Sequence, residues 1–535
     1  MIYLSKTHNP MNNRKIIEAY TGVRSHKLKN AWDETDRLFK KHSRNYPVPS
    51  VFSIKSVLDG IKSMSIFLLV KSIKADQFWM GDTSIDRNGN IFPDWKSILD
   101  QESDNLLRKV RREVSVTDFG AVGDGATDNT EAFKKAIANG RVKVVIPEGT
   151  FVVKGLKLPS YTFLAGAGKE KTVLKLHDAA PKEEWLITNA HHVKGDRNIH
   201  VEGMSLDWNV ERLGNVESTA AGNNRSSCLT FANVTFGWVK NVEAINPGLH
   251  CFDVSSTVYT YLGDGTRSRG GSKYIWLDNL NGYGFGDDGI TTHHSDYIYI
   301  TNSHMCDPSG RSHKKGFSNS NGIEVDDGSR NVWLVNNSTA RCFGGVEIKA
   351  HHNASAASNV VIIGHLSVND NRSYNFRHIG HHKQFDPESK TAFNIKAMNI
   401  VSIAPIYTDL YQNSTPRGMV VSAYKNVAVN HFTLLGDPDY DYKGEPVIAI
   451  QYRARNVAIK NVKLHGFKNA GAYIKVFGGE QRADNVSIQN VHADKQAAES
   501  IDIGASIESA NVENINIAEK IDTKDSKLAK KGNRR

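Results

Sequence analysis

An asparagine followed by a short strand-like run recurs at Asn331, Asn359, Asn399, Asn426, Asn456, Asn485 and Asn511, at intervals of 28, 40, 27, 30, 29 and 26 residues, with looser copies at Asn198 and Asn241. A period in the twenties to thirties with no helix between the strands marks a solenoid, in which each unit buries its apolar face only by stacking on the next. Parallel β-helix coils fit this pattern best. Alternate side chains then fill a narrow tube, and asparagines at the turns hydrogen-bond from coil to coil. Leucine-rich repeats are disfavoured, because their consensus leucines are missing.

The regions flanking the repeat have a different texture. In residues 1–112, Leu28, Trp32, Leu38 and Phe39 fall near helical spacing, as do Val57, Leu58 and Ile61, and then Ile98, Leu99, Leu106 and Val110. These residues are expected to form a small helical region, a cap or an attachment segment. From Glu113, VSVTDFGAVGDGATDNTEAFKKAIANG joins a strand to a glycine-rich turn and a helix, for which Asp128 and Glu131 form a plausible capping box. KVVIPEGTFVV and LPSYTFLAGAG then read as alternating strands.

The net charge of +10 is confined to the ends. Residues 1–112 carry 20 Lys and Arg against 12 Asp and Glu, and residues 520–535 carry 7 against 2, which leaves 113–519 at −3. A slightly acidic body with basic ends argues against a nucleic-acid reader. Cys228, Cys251, Cys306 and Cys342 lack C-x-x-C spacing and read as free core thiols. The start, MIYLSKTHNPMNNRK, has no apolar signal core, and Ile66–Val70 is far too short to span a membrane. No secretion signal and no membrane insertion are expected.

VTDFGAVGDGATDNTEAFKKAI followed by VVIPEGTFVV closely resembles the opening motif of the pectate-lyase-like superfamily, which includes polygalacturonase-like hydrolases and many tailspike or appendage proteins of bacteriophages. The resemblance covers roughly residues 113–400. It implies an all-β fold, a right-handed single-stranded parallel β-helix over 113–519, with an α-helix capping the open first coil. Residues 1–112 would be the helical attachment region and 520–535 a basic tail. One fold hosts many chemistries, so the motif says more about fold than about reaction.

The chemistry concentrates in three related copies: NGYGFGDDGITTHHSDYIYITN (281–302), SNGIEVDDGSRNVWLVNN (320–337) and FGGVEIKAHHNASAASNVVIIG (343–364). Aligning Gly289, Gly322 and Gly345 puts Ile290, Ile323 and Val346 in one inward column and Thr292, Val325 and Ile348 in another. Thr291, Glu324 and Glu347 then point outward, followed by His293, Asp326 and Lys349. Adjacent coils lie ~4.8 Å apart and residues two along a strand ~6.7 Å apart, so these groups share one patch on an exposed sheet. Stacked Glu324 and Glu347 repel, which raises one pKa, while Asp326 beside Lys349 and His293 stays ionised. One protonated and one ionised carboxylate suit glycoside cleavage, with retaining and inverting geometries both open.

In the polygalacturonase-like resemblance, GDDGI (286–290) implies a catalytic role for Asp288. Where that family has paired aspartates this chain has Ser320-Asn321-Gly322, and Gly344-Gly345-Val346 replaces its Gly-His-Gly. Its basic substrate clamp is echoed by Glu347-Ile348-Lys349 or Arg377-His378-Ile379. Candidate catalytic residues are therefore Asp288, Glu324, Asp326 and Glu347, with His293, Lys349, Arg377 and His378 binding substrate. The insertions 263–273 and 306–320 bring Arg267, Arg269, Lys273, Arg311, Lys314 and Lys315 into a basic wall suited to an anionic polymer. Trp276, Trp333, Tyr297, Tyr299 and Tyr374 could stack on sugars. The histidines His293, His294, His351, His352, His378, His381 and His382 show no tight ligand motif, so no metal or cofactor is expected, with calcium and, behind it, zinc as the lesser alternatives.

These readings converge on a phage tail or appendage depolymerase, assembled in the host cytoplasm and carried on the virion. It would attach to tail or baseplate proteins through residues 1–112 and cleave a bacterial surface polysaccharide, an exopolysaccharide, capsule or teichoic acid, by acid/base hydrolysis. A homotrimer is common in the resembled appendages. The rivals are a lyase acting by β-elimination, with Lys349 or Arg377 as base, and a non-catalytic adhesin for the same glycan.

Overall fold

The computed structural model describes residues 2–45, 70–72, 80–222, 225–259, 261, 263–352, 354–383 and 385–518. The helix expected around Val57–Ile61 and the basic tail 520–535 lie outside these residues.

From Arg112 to Ile517 the chain winds a right-handed parallel β-helix. One wall is a sheet of twelve short parallel strands, one per coil: β1 (Leu156–Leu158), β2 (Ile187–Asn189), β3 (Leu229–Ala232), β4 (Phe252–Ser255), β5 (Ile290–Thr292), β6 (Asn321–Val325), β7 (Gly344–Ala350), β8 (Arg372–His378), β9 (Arg417–Ser422), β10 (Ile448–Gln451), β11 (Ala472–Val476) and β12 (Glu499–Ile503). The other walls belong to one 19-stranded sheet whose longer strands bend around a corner. The interior is a continuous apolar column, in which Ile290, Ile323, Val346, Tyr374 and Met419 stack strand upon strand. Each such side chain contributes about 1.5–3 kcal/mol by leaving water.

The asparagine series resolves into two ladders. In the first, each side-chain amide donates to the carbonyl of the asparagine one coil before: Asn359 to Asn331 (3.2 Å), Asn394 to Asn359 (2.9 Å), Asn426 to Asn394 (3.0 Å), Asn456 to Asn426 (3.1 Å) and Asn485 to Asn456 (2.5 Å). All six hold left-handed φ values of 52–66° at the start of a long strand. Asn511 is not among them, since it pairs with Ser487 and donates to Glu513 instead (2.8 Å), and neither is Asn399. The latter lies five residues on, at the mid-strand corner, where Asn461 donates to Asn430 (2.8 Å) and Asn490 to Asn461 (3.1 Å). Both turns require φ > 0, which Asn tolerates, so the composition of the two corners is alike. The irregular interval of 40 residues is a slip from one ladder to the other.

Helix α1 (Asn13–Thr21), α2 (Ser25–His42) and α3 (Lys96–Lys109) lie along the outer flank of the coils. Asn13 donates to the corner carbonyl of Asn336 (3.0 Å), Lys396 pairs with Asp36 (3.0 Å), and Lys460 with Glu34 (2.7 Å). Trp95 sets its edge against Trp333, Tyr297 and Tyr274 at 5.6–5.9 Å. The aromatics expected to stack on sugars are consequently spent elsewhere. Trp333, Tyr297 and Tyr299 support the N-terminal segment, Trp276 packs on Tyr299, and Tyr374 sits inside the tube with its hydroxyl on Val401 O (2.8 Å).

Helix α4 (Thr130–Ile137) closes the first coil with Phe133, Ala136 and Ile137. Its capping differs from the expected box. Asn129 is the cap position, Asp128 accepts from Thr130 N (3.0 Å), and Glu131 pairs with Lys134 (2.8 Å). All four cysteines are free and buried.

Candidate active site

The register of the twelve-stranded sheet is the one expected from the glycine alignment: Ile290, Ile323 and Val346 pair across coils, as do Thr291, Glu324 and Glu347. The outward column extends further in both directions, from Asp253 on β4 through Thr291, Glu324 and Glu347 to Asn375 on β8. Two residues along, His293, Asp326, Lys349 and Arg377 form the next outward column, so the repeat builds a lattice of acids and bases.

Lys349 lies at its centre. Its ammonium is 2.7 Å from Glu324 Oε1 and 3.9 Å from Asp326 Oδ2. Asn321 Nδ2 donates to both Glu324 Oε1 (2.8 Å) and Asp288 Oδ1 (3.1 Å), which brings Asp288 into the group. Thr291 Oγ1 donates to Glu324 Oε2 (3.2 Å), and Arg377 Nε to Glu347 Oε1 (3.0 Å). His293 bridges Asp253 (3.5 Å) and Asp326 (3.6 Å), and His351 pairs with Asp327 (2.8 Å) and Asp326 (3.4 Å).

The patch is not exposed, contrary to expectation. Glu324 is 2% accessible and Asp326 and Glu347 are 0%. The cover is the insertion after β4: the Tyr259 ring stands edge-on to His293 at 4.5 Å and its hydroxyl donates to Asp327 Oδ2 (2.8 Å), while Tyr261 lies 4.7 Å from His351. The nearest partly open side chains are His351 (40% exposed), His313 (36%), Arg377 (22%) and Asp287 (17%).

The charges around each acid set them apart. Burial is the largest influence on Glu324 and raises its pKa, with Asp326, Asp287 and Glu347 adding to the shift and Lys349 opposing it. Asp288 is raised well above the carboxylate range by burial, Asp287 and Glu324. Burial pushes Asp326 in the same direction, but Lys349, His351 and His293 outweigh it and hold this carboxyl well below its ordinary value. Against burial, Asp253 and Asp326 raise His293 to about 10, and the carboxylates around Lys349 keep it an ammonium. Burial raises both carboxyls, so what separates Glu324 from Asp326 is the set of cations gathered on Asp326, with the stacking of Glu324 on Glu347 a minor addition.

Several expected residues stand apart. Arg311 reaches Glu211 (3.9 Å) and Gly214 O (3.5 Å), and Lys314 is exposed over Phe317. The residue of that insertion that meets the acids is His313, on Asp287 at 2.9 Å. Arg267 is wholly buried on Asp296 (2.9 Å) and anchors its own loop instead of forming a basic wall. His378 lies beyond the acids, with Nδ1 2.7 Å from Ser389 Oγ. Asp253, Asp327, His250, His313 and Tyr259 were not legible as members of the site. Only Asp253 had a signal, since carrying the three-copy alignment one coil back places Phe252-Asp253-Val254 on Ile290-Thr291-Thr292.

On the same sheet, toward the first coils, two adjoining hollows of about 480 and 210 Å³ share Trp185 and His192, and the second is bounded by Tyr259. A groove therefore leads along the coils to the cover of the acid lattice.

Residues 113–347 match the family model described as rhamnogalacturonase A/epimerase, pectate lyase-like. The phage-related protein YobO of Bacillus subtilis (strain 168) is 48% identical over 480 residues, 88% of this chain and 59% of its own length. The pre-neck appendage protein of Bacillus phage phi29 is 45% identical over 406 residues, 75% of this chain and 46% of its own. The chain thus spans 59% and 46% of the lengths of these two relatives. The crystal structure of the N-terminal fragment of bacteriophage phi29 gene product 12 superposes with a TM-score of 0.70 at 42% identity, covering 79% of this chain and 69% of the fragment.

Proposed function

This chain belongs to the pectate-lyase-like family that includes the pre-neck appendage proteins of Bacillus phages, and from that premise we propose that it is a virion appendage that binds and hydrolyses a bacterial surface polysaccharide. One observation carries the reading: Lys349 stands between a carboxyl pushed toward the protonated form, Glu324, and one held ionised, Asp326, on the same face of one strand.

Glu324 gives its proton to the glycosidic oxygen as the bond from the anomeric carbon breaks. Asp326 attacks that carbon to form a glycosyl–enzyme ester, and water, losing its proton to the Glu324 carboxylate, then hydrolyses the ester. Oxygens of the two carboxyls lie within 4.8 Å of one another, close to the ~5–5.5 Å of retaining pairs. Asp288 and Glu347 tune the pair, and Arg377 and His293 bind substrate. The glycan lies in the groove past Trp185 and reaches the acids where His313, His351 and Arg377 remain open. Residues 1–112 join the virion, and three copies form the appendage.

Lys349 makes a poor base for β-elimination, because the surrounding carboxylates keep it protonated. A binding-only reading draws support from the cover itself, which leaves the oxygens of Asp326 buried and without hydrogen bonds. The test is incubation of the purified protein with exopolysaccharide, capsule and teichoic-acid fractions of Bacillus strains, following polymer size, reducing ends and ultraviolet absorbance. Shorter polymer with new reducing ends and no absorbance is expected. Absorbance with shortening would establish a lyase, and tight binding without shortening an adhesin.

A further inference from the structure

Beyond the acid lattice, Asp264, His378 and His381 bring three ligand-type atoms within 4.8 Å of one another. Asp264 belongs to the insertion that covers the acids, whereas the histidines end β8 and its following turn, Ile379–His381. Their i, i+3 spacing stacks the two rings edge to face, with centroids 4.2 Å apart at 70°.

The protonation pattern can be read from the partners. His381 Nδ1 lies against the carbonyl oxygen of Pro387. A carbonyl only accepts, so Nδ1 carries the proton and the neutral ring presents a bare lone pair at Nε2. That lone pair faces another electron-rich atom, Asp264 Oδ2, at 3.5 Å. A charge-assisted N–H···O bond would close to about 2.7–2.9 Å. Two ligands of a tetrahedral zinc, each ~2.0–2.1 Å from the ion, stand ~3.3–3.4 Å apart. The observed gap is that of a coordination edge. His378 is fully buried, with Nδ1 2.7 Å from Ser389 Oγ. The remaining contacts of Asp264, from Lys390 N (2.6 Å), Ser389 Oγ (3.3 Å) and Thr391 Oγ1, fix the carboxylate in place as outer partners of a metal site commonly do.

We propose that Asp264, His378 and His381 bind a divalent metal of the zinc class, which pins the Tyr259 insertion to the 379–391 loop. Imidazole nitrogen with one carboxylate oxygen favours zinc over calcium, which takes six to eight oxygens. Three protein ligands leave one tetrahedral position for water. The metal's work is mechanical: it fastens the cover over the acid lattice.

The test uses tag-free protein stripped with a chelator and titrated with cobalt(II), followed by visible absorption and by displacement with zinc, together with thermal melting. One equivalent per chain with a tetrahedral cobalt spectrum, a zinc-dependent rise in Tm, and at least ~10-fold weaker binding in Asp264→Asn and in His381→Gln are expected. Wild-type protein that shows neither the cobalt spectrum nor a zinc-dependent rise in Tm overturns the proposal, whatever the variants do. So does cobalt binding that survives Asp264→Asn and is lost in Asp326→Asn, which would place the ion in the acid lattice.

Discussion

The middle and the late coils of the twelve-stranded sheet share one backbone and one register, yet they carry different chemistry. In β4–β8 the outward column reads Asp253, Thr291, Glu324, Glu347, Asn375; in β9–β11 the same column reads Val420, Ala449, Lys475. The late coils stack with apolar or exposed side chains at these places, so the fold does not require buried acids there. Burying a charge costs several kcal/mol even after relaxation. A chain that accepts this cost at Asp253, Glu324 and Glu347 and at none of the later places in the column has gathered its buried acids in the middle of the solenoid.

The largest expected effect falls on reaction. Glu324→Gln and Asp326→Asn should lower glycan cleavage by about 10²- to 10⁴-fold while keeping the β-rich circular dichroism of the wild type. Equal cleavage in either variant would dissolve the contrast between the coils.

Stability sharpens the same contrast. Lys349→Met leaves buried Glu324 without its cation and Asp326 with only His293 and His351, and should cost about 3–5 kcal/mol in denaturant unfolding. Lys475→Met, on the same lattice four coils on, removes a pair with Asp502 (2.6 Å) that is 37% and 28% exposed, and should cost under about 1 kcal/mol. Similar losses at both positions would show that burial does not distinguish them.

Next comes pH. The folded-state pKa of His293 is raised to about 10, so its contribution is fully present below its unfolded value of 6.5 and disappears as pH climbs through about 10. Thermal melts between pH 6 and 10 should therefore fall more steeply for the wild type than for His293→Gln. Parallel curves would contradict the bridge between Asp253 and Asp326. At the smallest end, Asn456→Ala breaks two rungs of the first ladder and should cost about 1–2 kcal/mol by chemical unfolding. Arg311→Ala, outside the lattice, should leave both stability and cleavage unchanged within about 0.5 kcal/mol.

Much of this was readable from one dimension because a parallel stack turns sequence period into lateral position. Gly289, Gly322 and Gly345 align in the chain as they do in the sheet, and that alignment alone placed Glu324 beside Glu347 and Lys349 near Asp326. Period fails where the chain leaves the coil. Tyr259 covers the acids and His313 meets Asp287 from insertions of irregular length, whose docking depends on contacts between segments dozens of residues apart. The basic loops misled for the same reason: Arg267 looks like a solvated charge until its buried partner Asp296 is seen. Asn399 misled differently, since two kinds of corner demand the same left-handed residue.

The central claim is that Glu324 and Asp326 cleave while the late coils only support. It is tested most directly by the initial rate of reducing-end release from a susceptible surface glycan, measured side by side for wild type, Glu324→Gln and Lys475→Met. The account predicts a wild-type rate in Lys475→Met and a loss of at least about 10²-fold in Glu324→Gln. A rate in Glu324→Gln equal to that of wild type would contradict it and move the chemistry, if cleavage persists, to another part of the lattice.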